Sequence, residues 1–226
     1  ILVGIIGQTG LGLRMSAIIL NFSGGNLLLM LMLTTVMGIV LGMGMPTSGA
    51  YVIMAALLAP GLVDAGVELI AAHMFIMYVA SKSSITPPVA IASYAAAAIA
   101  GTDPWKTSLT AFRLGLSVFI IPYMFVYGPA LLAIGDPIEI VWTLVTASLG
   151  IFALSVSMIG WLARPLGLVE RVLHLAAALL LIKPGLESDS VGIVLFGVLC
   201  ALAYFRRPRE TAVAAPLPAQ SGDQLP

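Results

Sequence analysis

The sequence predicts an all-α polytopic membrane protein with a broken transmembrane helix and a re-entrant hairpin. Of its 226 residues, 60% are hydrophobic and only 9% are charged, whereas about a quarter of the residues in a soluble domain are charged. The mean hydropathy is +1.10, and the apolar residues form several long runs separated by short polar segments. The formal net charge is zero, so nothing in the composition indicates a nucleic-acid partner.

The first apolar region predicts one long span with a break at its middle. The chain opens with "ILVGIIGQTGLGLRM", which has no initiator Met, basic segment or cleavage site, so it does not resemble a signal peptide. We expect the chain to be the carboxy-terminal part of a longer protein. A clean apolar run then covers Leu27–Leu41, stops at "GMGMPTSGAY" and resumes to about Val63.

A second polar interruption, "SKSSITPPVA" at residues 81–90, predicts a re-entrant hairpin. Its apolar flanks are His73–Ala80 and Val89–Ala100. Each flank is shorter than the about 20 residues that a full membrane crossing needs. We therefore expect two short helices joined by a proline-rich tip, with the second helix starting at about Pro88.

The remainder of the chain predicts an interfacial connector and further spans. Asp103 and Pro104 have the residue types of an N-cap and a first helical position, and the helix that they begin is amphipathic. The spans expected after it are Leu114–Ile134, Ile140–Leu162 and a shorter pair, Leu166–Ile182 and Val191–Phe205. This gives transport-domain elements at 1–112, carboxy-terminal helices at 113–205 and a disordered tail at 206–226.

Charge asymmetry predicts the orientation of these spans. The loops on one side carry the arginines, and the loops on the other carry the acidic residues with Lys183 as their one basic residue. The positive-inside rule then puts the arginines and the C-terminus in the cytoplasm. The arginines are Arg113, Arg164, Arg171, Arg206, Arg207 and Arg209, and the acids are Asp136, Glu139, Glu187 and Asp189.

The two polar breaks have the chemistry of an ion and substrate site. Irregular backbone at membrane depth is tolerated only where it is buried in protein or lines a cavity. At the first break, Gly42, Gly44 and Pro46 weaken the helix and free the carbonyls up to Met45, next to the Thr47 and Ser48 hydroxyls. At the second, Pro87 and Pro88 follow the hydroxyls of Ser83, Ser84 and Thr86.

Unwound carbonyls and hydroxyls are hard ligands that suit Na⁺, and half-helix N-termini attract an anionic substrate. Transition metals would require His or Cys clusters, which the sequence lacks. Each break also has a simpler interpretation, a packing kink for "GMGMP" and a loop for "TPP". Two such breaks about 40 residues apart favour a site.

The motifs at both breaks resemble the large membrane subunit of tripartite ATP-independent periplasmic (TRAP) transporters, and most closely the fused-permease kind. The resemblance covers residues 1–136 and rests on "GMGMPT", "AHMF", "TPPVA" and "FVYGPALL" in this order. It implies an elevator-type Na⁺ symporter of the bacterial inner membrane. Such a transporter takes a small organic anion from a periplasmic solute-binding protein, and this chain would hold the second of two inverted repeats.

The resemblance also implies which residues form the sites. Gly42–Thr47 and Ser83–Pro88 would build one Na⁺ site and part of the substrate site, with Gly42, Thr47, Ser84 and Thr86 as the Na⁺ ligands. No cofactor other than the coupling ion is implied. Relatives usually have an acidic residue at Ser84 and an apolar one at Lys82. Three roles are open for Lys82. Its side chain would extend to the interface, or it would replace a cation and weaken Na⁺ dependence, or it would pair with a substrate carboxylate.

Two other classes of function compete with this interpretation. A different ion-coupled carrier or a channel could use the same broken helices, without a binding protein. A membrane-embedded enzyme or scaffold is disfavoured by the scarcity of intramembrane His, Asp and Glu, and by the lack of an HExxH, P-loop or dinucleotide-binding motif. Without a P-loop, transport would not be driven by ATP on this chain.

Overall fold

A computed structural model describes residues 2–182 and 185–205, and the chain there is built of helices. The single β element of the described residues is a two-residue antiparallel pair, Trp161–Leu162 with Arg164–Pro165. The helices are α1 Leu2–Thr9, α2 Leu11–Ser23, α3 Leu27–Gly42, α4 Thr47–Asp64, α5 Leu69–Ser83, α6 Ile91–Ala100, α7 Pro104–Gly115, α8 Ile121–Tyr127, α9 Pro137–Ile159, α10 Leu168–Ile182 and α11 Leu186–Phe205.

A first bundle is formed by α2, α3, α4 and α5, which enclose the larger hydrophobic core. Small residues let these helices approach closely, as is common in membrane bundles. A Cβ atom at Gly12 would lie 2.6 Å from the Ala56 carbonyl oxygen, and one at Gly61 would lie 2.8 Å from the Ser16 hydroxyl. The buried members of this core come from all four helices and include Ile19, Leu31, Met54, Leu58, Leu62, Phe75 and Ile76.

The structure corrects the assignment of residues 27–63 as one span broken at its middle. A Cβ atom at Gly38 would lie 3.3 Å from the Met54 sulfur, although a continuing helix would separate these positions by about 24 Å. The chain therefore reverses between α3 and α4, which pack against each other as a hairpin. Gly44, at φ 80°, allows the reversal because only glycine adopts this region without steric cost.

The segment predicted as the re-entrant hairpin also differs from its prediction. Among the described residues, α6 packs against α7, and no comparable contact joins it to α5. Helix α6 also begins at Ile91 rather than at about Pro88, because the chain forms a closed loop over residues 84–90. Hydrogen bonds from Ala90 N to Thr86 O (3.2 Å) and from Ala92 N to Ser84 O (3.1 Å) hold this loop. A helical hairpin is thus found at the first break, whereas α5 and α6 do not pack against each other as one.

The predicted span Leu114–Ile134 is wrong as a continuous helix. Helix α7 changes into a 3-10 helix at Leu116–Phe119, which is followed by the short α8 and a second 3-10 helix at Pro129–Leu132. Proline within a helix removes an N–H donor and clashes with the carbonyl four residues before it. Pro122 acts on Val118 in this way, and Gly128 with Pro129 ends α8.

A second bundle is formed by α9, α10 and α11, with its own hydrophobic core. Asp103 caps α7, and Asp136 caps α9, each through its Oδ1. Helix α11 has 20 residues, so the prediction of a short final helix from Val191 was wrong. By length and composition, three helical segments of the described chain suffice for a membrane crossing: Thr47–Asp64, Pro137–Ile159 and Glu187–Phe205.

The antiparallel order of the second bundle segregates charge between its two ends. Arg164 and Arg171 lie between α9 and α10, where Arg171 Nε donates to the Ser157 carbonyl (2.9 Å) and Arg164 pairs with Glu170. Asp189 meets Trp142 at the other end. The ends therefore differ in charge, as the sequence predicted. The basic residues and tail at 206–226 lie outside the described residues.

The packing of α11 on α10 can be tested at two glycines of one helix. A Cβ at Gly192 would lie 2.7 Å from Leu181 Cγ, whereas one at Gly197 would meet nothing within 4 Å. We expect Gly192→Ala to be less stable than Gly197→Ala by about 1–3 kcal/mol, since overpacking has this cost. Both variants gain the same helix propensity, so this gain does not contribute to the difference. Thermal unfolding in detergent measures the difference. Equal stabilities would contradict the contact.

Candidate functional site

The two helix breaks lie side by side in the first bundle. The Ser83 hydroxyl lies 2.7 Å from the Ala80 carbonyl oxygen and 3.1 Å from the Gly42 carbonyl oxygen, and it shares its one proton between them. A Cβ at Gly44 would lie 3.8 Å from Val89 Cγ1. The tip of the α3–α4 hairpin therefore contacts both ends of the loop that separates α5 from α6.

Gly42 is the closest point between the breaks. A Cβ at this position would lie 2.5 Å from Met54 Cε and 2.6 Å from the Ser83 hydroxyl oxygen. The Gly42 carbonyl also accepts from Met45 N (3.3 Å), so the last turn of α3 is closed by its own chain as well as by α5. Only glycine leaves room for this approach.

The start of α4 offers polar groups to the surface of the site. Pro46 is its N-cap residue and makes no side-chain capping hydrogen bond, so the first N–H groups of α4 have no side-chain acceptor. Pro46, Thr47 and Ser48 are all exposed. This helix end therefore combines a positive partial charge with two exposed hydroxyl residues, an arrangement that suits an anionic ligand.

The loop after α5 is closed by hydroxyl-to-carbonyl hydrogen bonds. Ser84 Oγ donates to Ser81 O (2.7 Å), and Thr86 Oγ1 donates to Lys82 O (2.7 Å). A hydroxyl that donates its proton retains lone pairs for a cation. The Pro87–Pro88 peptide bond is cis, and the Pro88 carbonyl accepts from the Tyr94 hydroxyl.

The structure brings together part of the predicted site. Gly42, Gly44 and Met45 form the hairpin tip, next to Ser83 and the loop through Thr86 and Pro88. The four proposed Na⁺ ligands are less close. The hydrogen bonds of the described residues join Gly42 to Ser83, but they do not join Thr47 to Ser84 or Thr86, and Thr47 is exposed while Thr86 is buried. The ligand set of Gly42, Thr47, Ser84 and Thr86 stays a prediction.

Lys82 does not extend to the surface, as one interpretation of the sequence had it. Its side chain is only 6% exposed, and its ammonium donates to the Val118 carbonyl. The ammonium nitrogen also lies 4.9 Å from the centre of the Phe119 ring and 5.4 Å from that of the Tyr78 ring, within the range of a cation–π interaction. It therefore faces the 3-10 helix after α7, whereas the neighbouring Ser83 faces Gly42.

Pro122 explains why the Val118 carbonyl is available. In an α-helix this carbonyl would accept from the N–H of residue 122, which proline lacks. A buried carbonyl without a donor is costly, and the Lys82 ammonium satisfies it from another helix. The sequence analysis missed this pair because it did not ask which carbonyl Pro122 leaves without a donor. The available signal was Pro122, which leaves the Val118 carbonyl without a helical donor, together with the Lys82 ammonium in an otherwise apolar segment.

A second polar contact links the hairpin to α5. His73 Nδ1 lies 2.9 Å from the Tyr51 hydroxyl, one turn above the exposed start of α4. Tyr123 is likewise bonded to Thr35 across 2.8 Å and stacks edge-on against Phe75. Both contacts stabilise packing around the hairpin.

Comparison with known proteins adds one finding. The family model described as "Tripartite ATP-independent periplasmic transporter, DctM component" matches residues 1–140, which include both breaks and all helices from α1 to α8. No curated protein and no solved structure matches the chain.

The contact between the breaks can be tested at Gly42. We expect Gly42→Ala to lower the free energy of unfolding by about 1–3 kcal/mol, because the added methyl group overpacks the contact with Ser83 and Met54. The double variant Gly42→Ala/Ser83→Gly should recover part of this loss, since it removes the Ser83 atoms that clash. Thermal unfolding of the parent protein, Gly42→Ala, Ser83→Gly and the double variant measures these effects.

Gly49→Ala is the matched control, because a Cβ at Gly49 would meet nothing within 4 Å and should be tolerated. Strictly additive effects of the Gly42 and Ser83 substitutions would contradict the contact.

The role of Lys82 can be tested through Pro122. Lys82→Met leaves the Val118 carbonyl without its donor, which costs about 1–3 kcal/mol. Pro122→Ala restores a backbone N–H four residues after Val118, so Lys82→Met should cost less in that background. A double-mutant cycle on thermal unfolding measures the coupling. Lys106→Met, at an exposed lysine of α7, should have little effect in either background. Zero coupling between positions 82 and 122 would contradict the assignment.

Proposed function

Because the chain belongs to the DctM family of tripartite ATP-independent periplasmic transporters, we propose that it is a Na⁺-coupled importer of small organic anions. The family match accounts for secondary transport by a multi-pass membrane component that works with a periplasmic solute-binding protein. The family is one of transporter components and not of enzymes. The coupling ion and the carboxylate substrate are the parts that we propose.

The contact between the Gly42 carbonyl and the Ser83 hydroxyl carries this proposal. It brings the C-terminal ends of α3 and α5 together, and these ends supply carbonyl oxygens that favour a cation. The hydroxyls of Ser84 and Thr86 lie in the same loop and keep acceptor lone pairs. Oxygen atoms of this kind, without His or Cys, suit an alkali cation.

The anion would bind at the start of α4, next to Thr47 and Ser48. A cation bound between the hairpin tip and the loop would hold the tip in place and add positive charge beside this helix end. Binding of the substrate carboxylate would then depend on Na⁺, which is the thermodynamic coupling that a symporter needs. Lys82 does not take part in this step, because its ammonium is used by the Val118 carbonyl.

We place the protein in the bacterial inner membrane, with the arginine-bearing end of the second bundle and the C-terminus in the cytoplasm. The charge difference between the two ends of α9, α10 and α11 supports this orientation through the positive-inside rule. The acidic end, with Asp136 and Asp189, would then face the periplasm, from which the solute-binding protein delivers the substrate.

The proposal predicts uptake that requires both a Na⁺ gradient and the binding protein. The full permease in proteoliposomes would be supplied with labelled dicarboxylate, 2-oxo acid, amino acid and sugar acid, with and without a periplasmic extract. We expect one of these anions to accumulate only with extract and inward Na⁺, and not with choline in its place. Uptake without extract, or transport that does not saturate, would favour another carrier or a channel.

Thermal unfolding in NaCl against choline chloride at equal ionic strength gives an independent measure of Na⁺ binding. Ligand binding to the folded state stabilises it by about 2.7 kcal/mol at a concentration 100 times Kd. The shift should be smaller in Thr86→Val and unchanged in Thr107→Val, which alters an exposed hydroxyl of α7.

A further inference from the structure

A cavity of about 540 Å³ lies between the N-terminal ends of α9 and α11. Three of the side chains that line it are carboxylates, Asp136, Glu139 and Asp189, and Trp142 lines it as well. Asp136 and Glu139 are exposed at its rim, whereas Asp189 is only 3% exposed. The cavity depends on α11, which lies outside the residues that the family model matches.

Asp189 has one oxygen that the fold leaves unsatisfied. Its Oδ2 accepts a hydrogen bond from Trp142 Nε1 across 2.9 Å. Its Oδ1 is buried and has no hydrogen-bond partner. A buried carboxylate oxygen without a donor costs free energy, and native proteins rarely keep one without a reason.

All three acids lie at helix N-termini, because Asp189 is also in the first turn of α11, but this position does not account for the buried Asp189 oxygen. Asp136 Oδ1 accepts from Ile138 N (3.2 Å), and Glu139 lies in the first turn of α9, where a negative charge stabilises the helix dipole. Asp189 instead bonds across the bundle to the indole of Trp142. Its second oxygen therefore lacks the backbone donor that a capping role would provide.

We propose that this cavity binds an organic cation that carries N–H donors, an alkylammonium or guanidinium group. Asp189 lines the cavity but its Oδ1 is covered, so a turn of this carboxylate would bring Oδ1 to an N–H donor of the ligand. The carboxylates of Asp136 and Glu139 balance the charge, and the indole of Trp142 offers a cation–π surface. The described residues contain no group of three His, Cys, Asp or Glu side chains arranged to hold a metal ion. The volume far exceeds that of one water molecule, which is about 30 Å³.

The site is separate from the Gly42–Ser83 contact, so its test does not depend on transport. The chain has three tryptophans, and Trp105→Phe with Trp161→Phe leaves Trp142 as the one fluorescent reporter. Purified protein in nanodiscs would be titrated with methylguanidinium and with ethylammonium at constant ionic strength. Tetramethylammonium, which has charge but no N–H, is the comparison ligand.

We expect a saturable change in Trp142 fluorescence with the two N–H donors and a much weaker one with tetramethylammonium. Asp189→Asn should weaken binding by at least about tenfold, since a hydrogen bond to a charged group is lost. Asp64→Asn removes an exposed acid elsewhere and should leave the affinity unchanged. If Asp189→Asn does not fold, Glu139→Gln decides, because loss of this exposed rim charge must also weaken binding.

Repeating the titration with Lys183→Gln identifies the source of the cation. Tighter binding in this variant would mean that a basic side chain of the same chain competes for the site, and unchanged affinity would assign the site to an external ligand. The proposal is overturned if neither background shows a saturable change, which would leave only water in the cavity. It is also overturned if tetramethylammonium binds equally well, or if the variants that remove cavity carboxylates bind as tightly as their parent.

Discussion

The satisfaction of backbone polar groups inside an apolar chain is the constraint on which the rest of this structure depends. Within a bilayer, water is not available to pair with a freed carbonyl, so every helix break must find its donor within the protein. Pro122 frees the Val118 carbonyl, and Lys82 supplies the donor from α5. The break after α3 frees the Gly42 carbonyl, and Ser83 supplies part of its donor, again from α5. Two neighbouring residues of α5 thus stabilise two breaks, each on a different face of this helix.

This arrangement places the potential binding groups without adding charged side chains to the site. The Gly42 carbonyl at the hairpin tip and the hydroxyls of the loop after α5 are held by hydrogen bonds, so their positions are defined before any ligand arrives. The uncapped start of α4 lies next to them because the hairpin reverses at Gly44. The symport that we propose requires an ion and an anion to bind together and both to be released, and neutral dipoles provide attraction that is weaker and easier to reverse than that of fixed charges.

The second bundle pairs its polar groups through charged side chains at its two ends. At one end, the Arg171 guanidinium donates to the Ser157 and Met158 carbonyls of α9. At the opposite end, Asp136 caps α9 through a backbone N–H, but Asp189 keeps one oxygen without a partner. The cavity beside Asp189 is thus a place in this bundle where a buried carboxylate oxygen has no hydrogen-bond partner.

The sequence by itself determined the class of the protein, several helix boundaries, the Asp103 cap and the location of both breaks, because hydropathy, proline and capping residues act locally. It did not determine which break reverses the chain, since Gly44 with Pro46 and the Pro87–Pro88 pair both interrupt a helix. It also did not show that Leu114–Ile134 is divided into short helical pieces, because the run was assigned from its hydropathy, which Pro122 and Pro129 do not interrupt. Only the tertiary structure decided these points and the partner of Lys82. They depend on which helix lies beside which, and a carbonyl freed at one position can be satisfied by a residue 36 positions away.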